Sequence, residues 1–100
     1  MQSSLLPSPF FKESLQAFLG EIPSTKPSFR IMMLVGYTST YLDSLTPREL
    51  FHLLSVLELF FMTATTARHQ EIQNMLGSYR KDLGAHIDLT SKPTKNFLHP

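Results

Sequence analysis

Glu49 and His52 are the two residues of this chain best spaced to do chemistry together. On a helix, Glu-x-x-His sets a carboxylate and an imidazole on one face, the spacing used by carboxylate-bridged metal centres in four-helix bundles. Such a centre needs two copies of the motif and further inward carboxylates. Only one copy is present, and Glu58, the nearest additional carboxylate, lies six residues beyond His52 and turned away from it. Glu49 has a simpler employment at a helix start, described below. The expectation is therefore no bound metal and no cofactor, with a metal-binding helical bundle as the last of three readings.

Two other pairs, His69 with Glu71 and His86 with Asp88, are acid–base or ligand candidates. Side chains two apart on a helix do not face each other. In a strand over 85–89 the second pair would share a face; otherwise both read as solvated surface groups, and His99 as part of a free tail. Nucleophilic catalysis has no support. The chain has no cysteine, no Gly-x-Ser-x-Gly elbow and only four dispersed glycines, which also excludes a phosphate-cradling loop. The chain reads as non-enzymatic.

Arg68, Arg80 and Lys81 are the candidate contacts to nucleic acid, with Lys92 and Lys95 behind them. Arg68 and Arg80 are twelve residues apart, so a continuous helix separates them by about 120° rather than aligning them. The charge balance agrees: nine Lys/Arg against eight Asp/Glu leave a net +1, with no concentrated basic face. A small nucleic-acid-binding regulator using the basic C-terminal half is the second reading, and dispersed solvated charge is the plainer one.

The elements that must position these groups can be read from spacing. One hundred residues suit a single domain, and an apolar share of 42% with 17% charged residues describes a charge-poor globular chain. Residues 1–8 read as an N-terminal arm, 9–89 as one helical domain and 90–100 as a basic tail. Ser8 and Pro9 look like the N-cap and first position of a first helix, over 9–20, that buries Phe11, Leu15, Phe18, Leu19 and Ile22. After a Pro-bounded loop, Ile31, Leu34, Val35, Thr38, Leu42 and Leu45 keep helical spacing, although Phe29–Val35 taken alone also fits a buried strand. Tyr37, Tyr41 and Tyr79 read as residues at the core edge.

The sharpest local signal is Thr46-Pro-Arg-Glu49, a capping box with proline at the first helical position. Leu45 and Leu50 flank it as a hydrophobic staple. From Leu50, the residues Leu53, Leu54, Val56, Leu57, Phe60, Phe61 and Ala64 fill one sector of about 160°. Phe51, Leu59 and Met62 form a second apolar patch outside that sector. Beyond it, Thr63–Thr66 weakens the helix, so the pattern to Leu83 predicts either one long helix or a break near Thr65, with Gly84 as its stop.

The architecture expected is all-α: a small three- to four-helix bundle with a long or kinked third helix. Phe51, Leu59 and Met62 are the expected protein interface, because three short helices offer limited area to cover a helix apolar on two sides. The function expected is that of an adaptor, regulator or accessory subunit, dimeric or docked on a larger protein. The longest apolar stretch, Leu50 to Ala64, is interrupted by His52, Ser55, Glu58 and Thr63 and is shorter than a bilayer requires. No basic residue precedes Lys12, so the start lacks the charge of a secretory signal. These features lead to the expectation of a soluble, cytoplasmic protein.

Overall fold

The computed structural model describes residues 6–63 and 66–87. They form four α-helices: α1 (Phe11–Glu21), α2 (Phe29–Tyr41), α3 (Pro47–Met62) and α4 (Ala67–Gly84), with a 3₁₀ turn, Ile22–Thr25, between α1 and α2. The fold is all-α, and no strand occurs among the described residues. Phe29–Val35, ambiguous by spacing, lies wholly within α2. The long third helix is two helices, α3 ending at Met62 and α4 beginning at Ala67.

Each start has a local cause. At α3 the capping box is complete: Glu49 N–H donates to Thr46 Oγ1 at 3.1 Å, and Thr46 N–H donates to Glu49 Oε1 at 2.9 Å. A cap of this kind stabilises by about 1 kcal/mol. Thr66 caps α4 by accepting from His69 N–H at 3.1 Å, and Ser28 caps α2 by accepting from Ile31 N–H at 3.3 Å. Thr66 thus turns the β-branched run into the start of a new helix.

The first helix departs from expectation at its N-terminus. Its N-cap is Phe10, without a side-chain cap bond. Ser8 instead makes the preceding turn, its Oγ accepting from Phe10 N–H at 3.3 Å and its carbonyl from Phe11 N–H at 3.1 Å. At the other end α1 continues to Glu21, then tightens into the 3₁₀ turn, which Lys26 ends with a left-handed φ of 55°. Gly84 is the last helical residue, but the cap is Ala85 in right-handed geometry, so the expected glycine stop is not a left-handed one. Of the expected arm, Leu6 is half-buried against the core; residues 1–5 and the expected tail at 90–100 lie outside the described residues.

The core gathers Phe11, Leu15, Leu19 and Ile22 from the first helix and its turn, and Ile31, Val35 and Leu42 from α2 and its end. Leu50, Leu54, Leu57 and Phe61 join from α3, and Ile72, Leu76 and Leu83 from α4. The α3–α4 pair shares the most extensive contact among the described residues, while α2 meets α3 and α1 over less of its length. The consequence is visible on α3. Its buried stripe is narrower than the sector read from the sequence: Leu53 is half-buried, and Val56 and Phe60 are exposed. A helix packed tightly along one line covers only the residues that face that line.

The close approach of α3 and α4 is made over Gly77, which is buried. A Cβ at this position would stand 2.7 Å from Glu58 Oε2 and 3.4 Å from its Cδ. Gly77→Ala gains up to about 1 kcal/mol of helix propensity, but it displaces a carboxylate that is bonded to Arg80. The net effect expected is within about 1 kcal/mol of zero, because the atom to be displaced, Oε2, is the free end of a flexible side chain and Arg80 bonds the other oxygen, Oε1. In a Glu58→Ala background the same change should stabilise by up to about 1 kcal/mol. Urea unfolding of the four chains reads the difference.

Candidate protein interface

Phe51, Leu59 and Met62 are not equivalent in the folded chain. Leu59 and Met62 are 57% and 56% exposed. Phe51 is half-buried, packs against the core, and carries the Arg80 guanidinium over its ring at 5.9 Å from the centroid. Arg80 Nε in turn donates to Glu58 Oε1 at 2.7 Å. Phe51, Arg80, Glu58 and Gly77 therefore form a clasp between α3 and α4. Phe51 serves that clasp, while Leu59 and Met62 face outward.

The other sequence candidates are distributed as follows. Arg68 lies between two carboxylates, 3.6 Å from Glu21 and 3.3 Å from Glu71. Arg80 is committed to Glu58, and Lys81 is exposed. The structure does not assemble these three residues into one basic surface. Glu49 is engaged in the capping box and His52 is exposed beside Phe51. His69 Nε2 sits 3.3 Å from the Thr25 carbonyl, and His86 Nδ1 3.0 Å from the Asp82 carbonyl. Among the described residues there is no group of three or more His, Asp or Glu placed to hold a metal ion. No helix among them is long and apolar enough to cross a membrane.

Among the described residues α2 also carries a row of exposed apolar side chains, where spacing had suggested a core-edge role for the tyrosines. The helix buries Ile31, Val35 and Thr38 on one side, and Thr38 Oγ1 donates to the Leu34 carbonyl at 2.8 Å, satisfying its hydroxyl. The opposite side carries Phe29 at 76% exposure and Met33 at 60%, with Tyr37 and Tyr41 each about half exposed. The two tyrosine rings rest against each other, centroids 4.9 Å apart. Gly36 stands among them with open space where a Cβ would be. At 100° per residue, Phe29, Met33, Gly36, Tyr37 and Thr40 lie within about 100° of one another. Arg30 is the only charged residue in the helix. A one-charge helix with large apolar groups outside and a bare glycine among them is shaped for close approach by another helix.

Compared with known proteins, this chain matches no family model, no curated protein and no solved structure.

A second feature lies between α1 and α4, whose backbones approach each other little along their length. Tyr79 spans the gap at one end, its ring 5.4 Å from that of Phe11 and 5.7 Å from that of Phe18. Burial raises the Tyr79 phenol above its ordinary value of 10.0, and the Glu21 and Asp82 carboxylates push in the same direction. The native state thus keeps a proton that the unfolded chain releases. Stability is fully present below about pH 10 and falls as pH climbs from there through the raised value. Lys12, raised by its hydrogen bond to Asp43, adds a slope of the same sign. Tyr79→Phe should flatten part of the alkaline loss, read as the difference in urea midpoint from wild type across that window.

Proposed function

We propose that this protein is a non-enzymatic interaction module that pairs with a second copy of itself through the outer face of α2. In that form it serves as an adaptor, regulator or accessory subunit. The observation that carries the reading is the exposed row Phe29, Met33 and Tyr37 around an open Gly36.

Area and charge favour a second copy as the occupant. The exposed parts of that row, with Met32 and Tyr41 beside it, amount to on the order of 500 Å². Two such faces together remove on the order of 1,000 Å², the lower bound of a specific interface. The dimer is accordingly weak, with Kd on the order of 10 μM. Crossing at Gly36 in antiparallel fashion sets the two Arg30 side chains at opposite ends, about 18 Å apart. That exceeds the Debye length of ~8 Å at physiological salt, so like charge does not oppose the pairing. A strongly charged partner finds little to pair with on this face.

Sedimentation equilibrium tests the reading. Wild type should show a monomer–dimer equilibrium, and Met33→Glu with Tyr37→Glu should remain monomeric with unchanged circular dichroism, since both positions face solvent. Leu59→Glu with Met62→Glu is the comparator and should leave the dimer intact. A wild type that stays monomeric at ~1 mM overturns the proposal. Loss of the dimer in the comparator alone moves the interface to α3 and equally overturns the assignment to α2.

A further inference from the structure

The gap between α1 and α4 is an open groove of about 650 Å³. On α1 its wall is the row Ser14, Ala17, Phe18 and Glu21, spaced i, i+3, i+4 and i+7. On α4 the wall is Arg68, Glu71, Ile72, Met75 and Tyr79, which continues the same spacing for another turn. Two such rows, held apart, make the trough into which a further helix packs ridge into groove. The span from Arg68 to Tyr79 is about 16 Å, or three turns of an occupying helix.

The two ends differ in chemistry. One end is aromatic and aliphatic, closed by Tyr79 between Phe11 and Phe18, with Ile72 buried and Met75 exposed beside it. Ser14 and Ala17 are small, so the α1 wall leaves room for side chains entering from outside. A methionine at such a place adapts to the shape of what it meets. The other end holds two carboxylates, Glu21 and Glu71, around a single guanidinium, Arg68, at contacts of 3.6 and 3.3 Å. All three are mostly solvent-facing, and their sum is one negative charge.

We infer that this groove is a binding site for a basic amphipathic helix of a partner protein, whose aliphatic side chains enter between Phe18, Ile72, Met75 and Tyr79 while a Lys or Arg reaches Glu21 and Glu71. This is helix-in-groove recognition, in which apolar anchors supply affinity and the charged end sets direction. The site lies on a different seam from the α2 face and does not depend on self-pairing.

The probe is a capped, fluorescein-labelled peptide of about four turns, with leucines at i, i+3, i+4 and i+7 and lysines at one end. A second peptide carries glutamates in place of the lysines. Fluorescence anisotropy with the full chain should show the basic peptide binding at least about tenfold more tightly than the acidic one. Raising salt from ~50 to ~300 mM should narrow that gap. Ala17→Lys, at an exposed position on the α1 wall, should weaken the basic peptide about tenfold while leaving the helical content of the protein unchanged. Glu21→Gln with Glu71→Gln should remove most of the preference for the basic peptide. The monomeric Met33→Glu, Tyr37→Glu variant should bind as wild type does, which keeps this result separate from the fate of the α2 dimer. Equal binding of the two peptides, no binding of the basic one, indifference to Ala17→Lys, or loss of binding in the α2 variant each overturns the inference.

Discussion

Replacing Phe61 by alanine should cost about 3–5 kcal/mol, the usual range for emptying a buried aromatic site. Phe61 is 1% exposed and occupies the last turn of α3. Its ring meets the His69 imidazole edge to face, with centroids 5.4 Å apart, and His69 Nε2 sits 3.3 Å from the Thr25 carbonyl. Through His69, the end of α3, the start of α4 and the 3₁₀ turn are thus braced against one another. A domain of this size has roughly 5–15 kcal/mol of stability in total. The substitution should therefore move the urea midpoint by a large fraction of its value, with little change in slope. Phe60→Ala supplies the contrast. That ring is 38% exposed, so truncating it removes fewer contacts and should cost about 1–2 kcal/mol. Similar losses for the two would contradict the narrow buried stripe of α3.

The second large effect belongs to Arg80. Arg80→Ala should cost about 1–3 kcal/mol, because it leaves the Glu58 carboxylate in the α3–α4 seam without its donor and uncovers the Phe51 ring. Both members of the pair are about three-quarters buried, so solvent screens them far less than it screens a surface ion pair. Arg80→Lys should recover only part of the loss, because the bonded atom is the guanidinium Nε and an ammonium presents its donors elsewhere. A double-mutant cycle of Glu58→Ala and Arg80→Ala should give a coupling of about 1 kcal/mol or more. The same cycle on Arg68 and Glu71, half or more exposed, should give under ~0.5 kcal/mol. Equal coupling in the two cycles would remove the clasp as a feature of the fold.

The clasp also explains why the exposure of Phe51, Leu59 and Met62 was only partly legible. On a helical wheel Phe51, Leu59 and Met62 share a side, and nothing in their spacing distinguishes them. Arg80, twenty-nine positions beyond Phe51, covers one of the three and leaves the other two outside. The α2 face was hidden for the complementary reason. Phe29, Met32, Met33, Tyr37 and Tyr41 occupy the outer half of a helix whose inner side is apolar as well, so periodicity does not say which side is covered. Val56 and Phe60 show the same limit on α3, where they lie in the apolar sector yet face solvent.

From sequence alone came the helical class, the helical spacing from Ile31 onward with a strand over Phe29–Val35 left open, the capping box at Thr46 and Glu49, and the weakness at Thr63–Thr66, with α3 ending at Met62 and α4 beginning at Ala67. These follow from contacts spanning three or four residues, and such contacts exist before any tertiary structure does. Tertiary structure alone decided which apolar faces are covered, that Arg80 closes over Phe51, and that α1 and α4 stand apart around Tyr79. Burial of a helix face depends on how many neighbours reach it and along which line. Among the described residues α1 and α3 pack against the inner side of α2, and Phe29, Met33 and Tyr37 on its other side stay exposed.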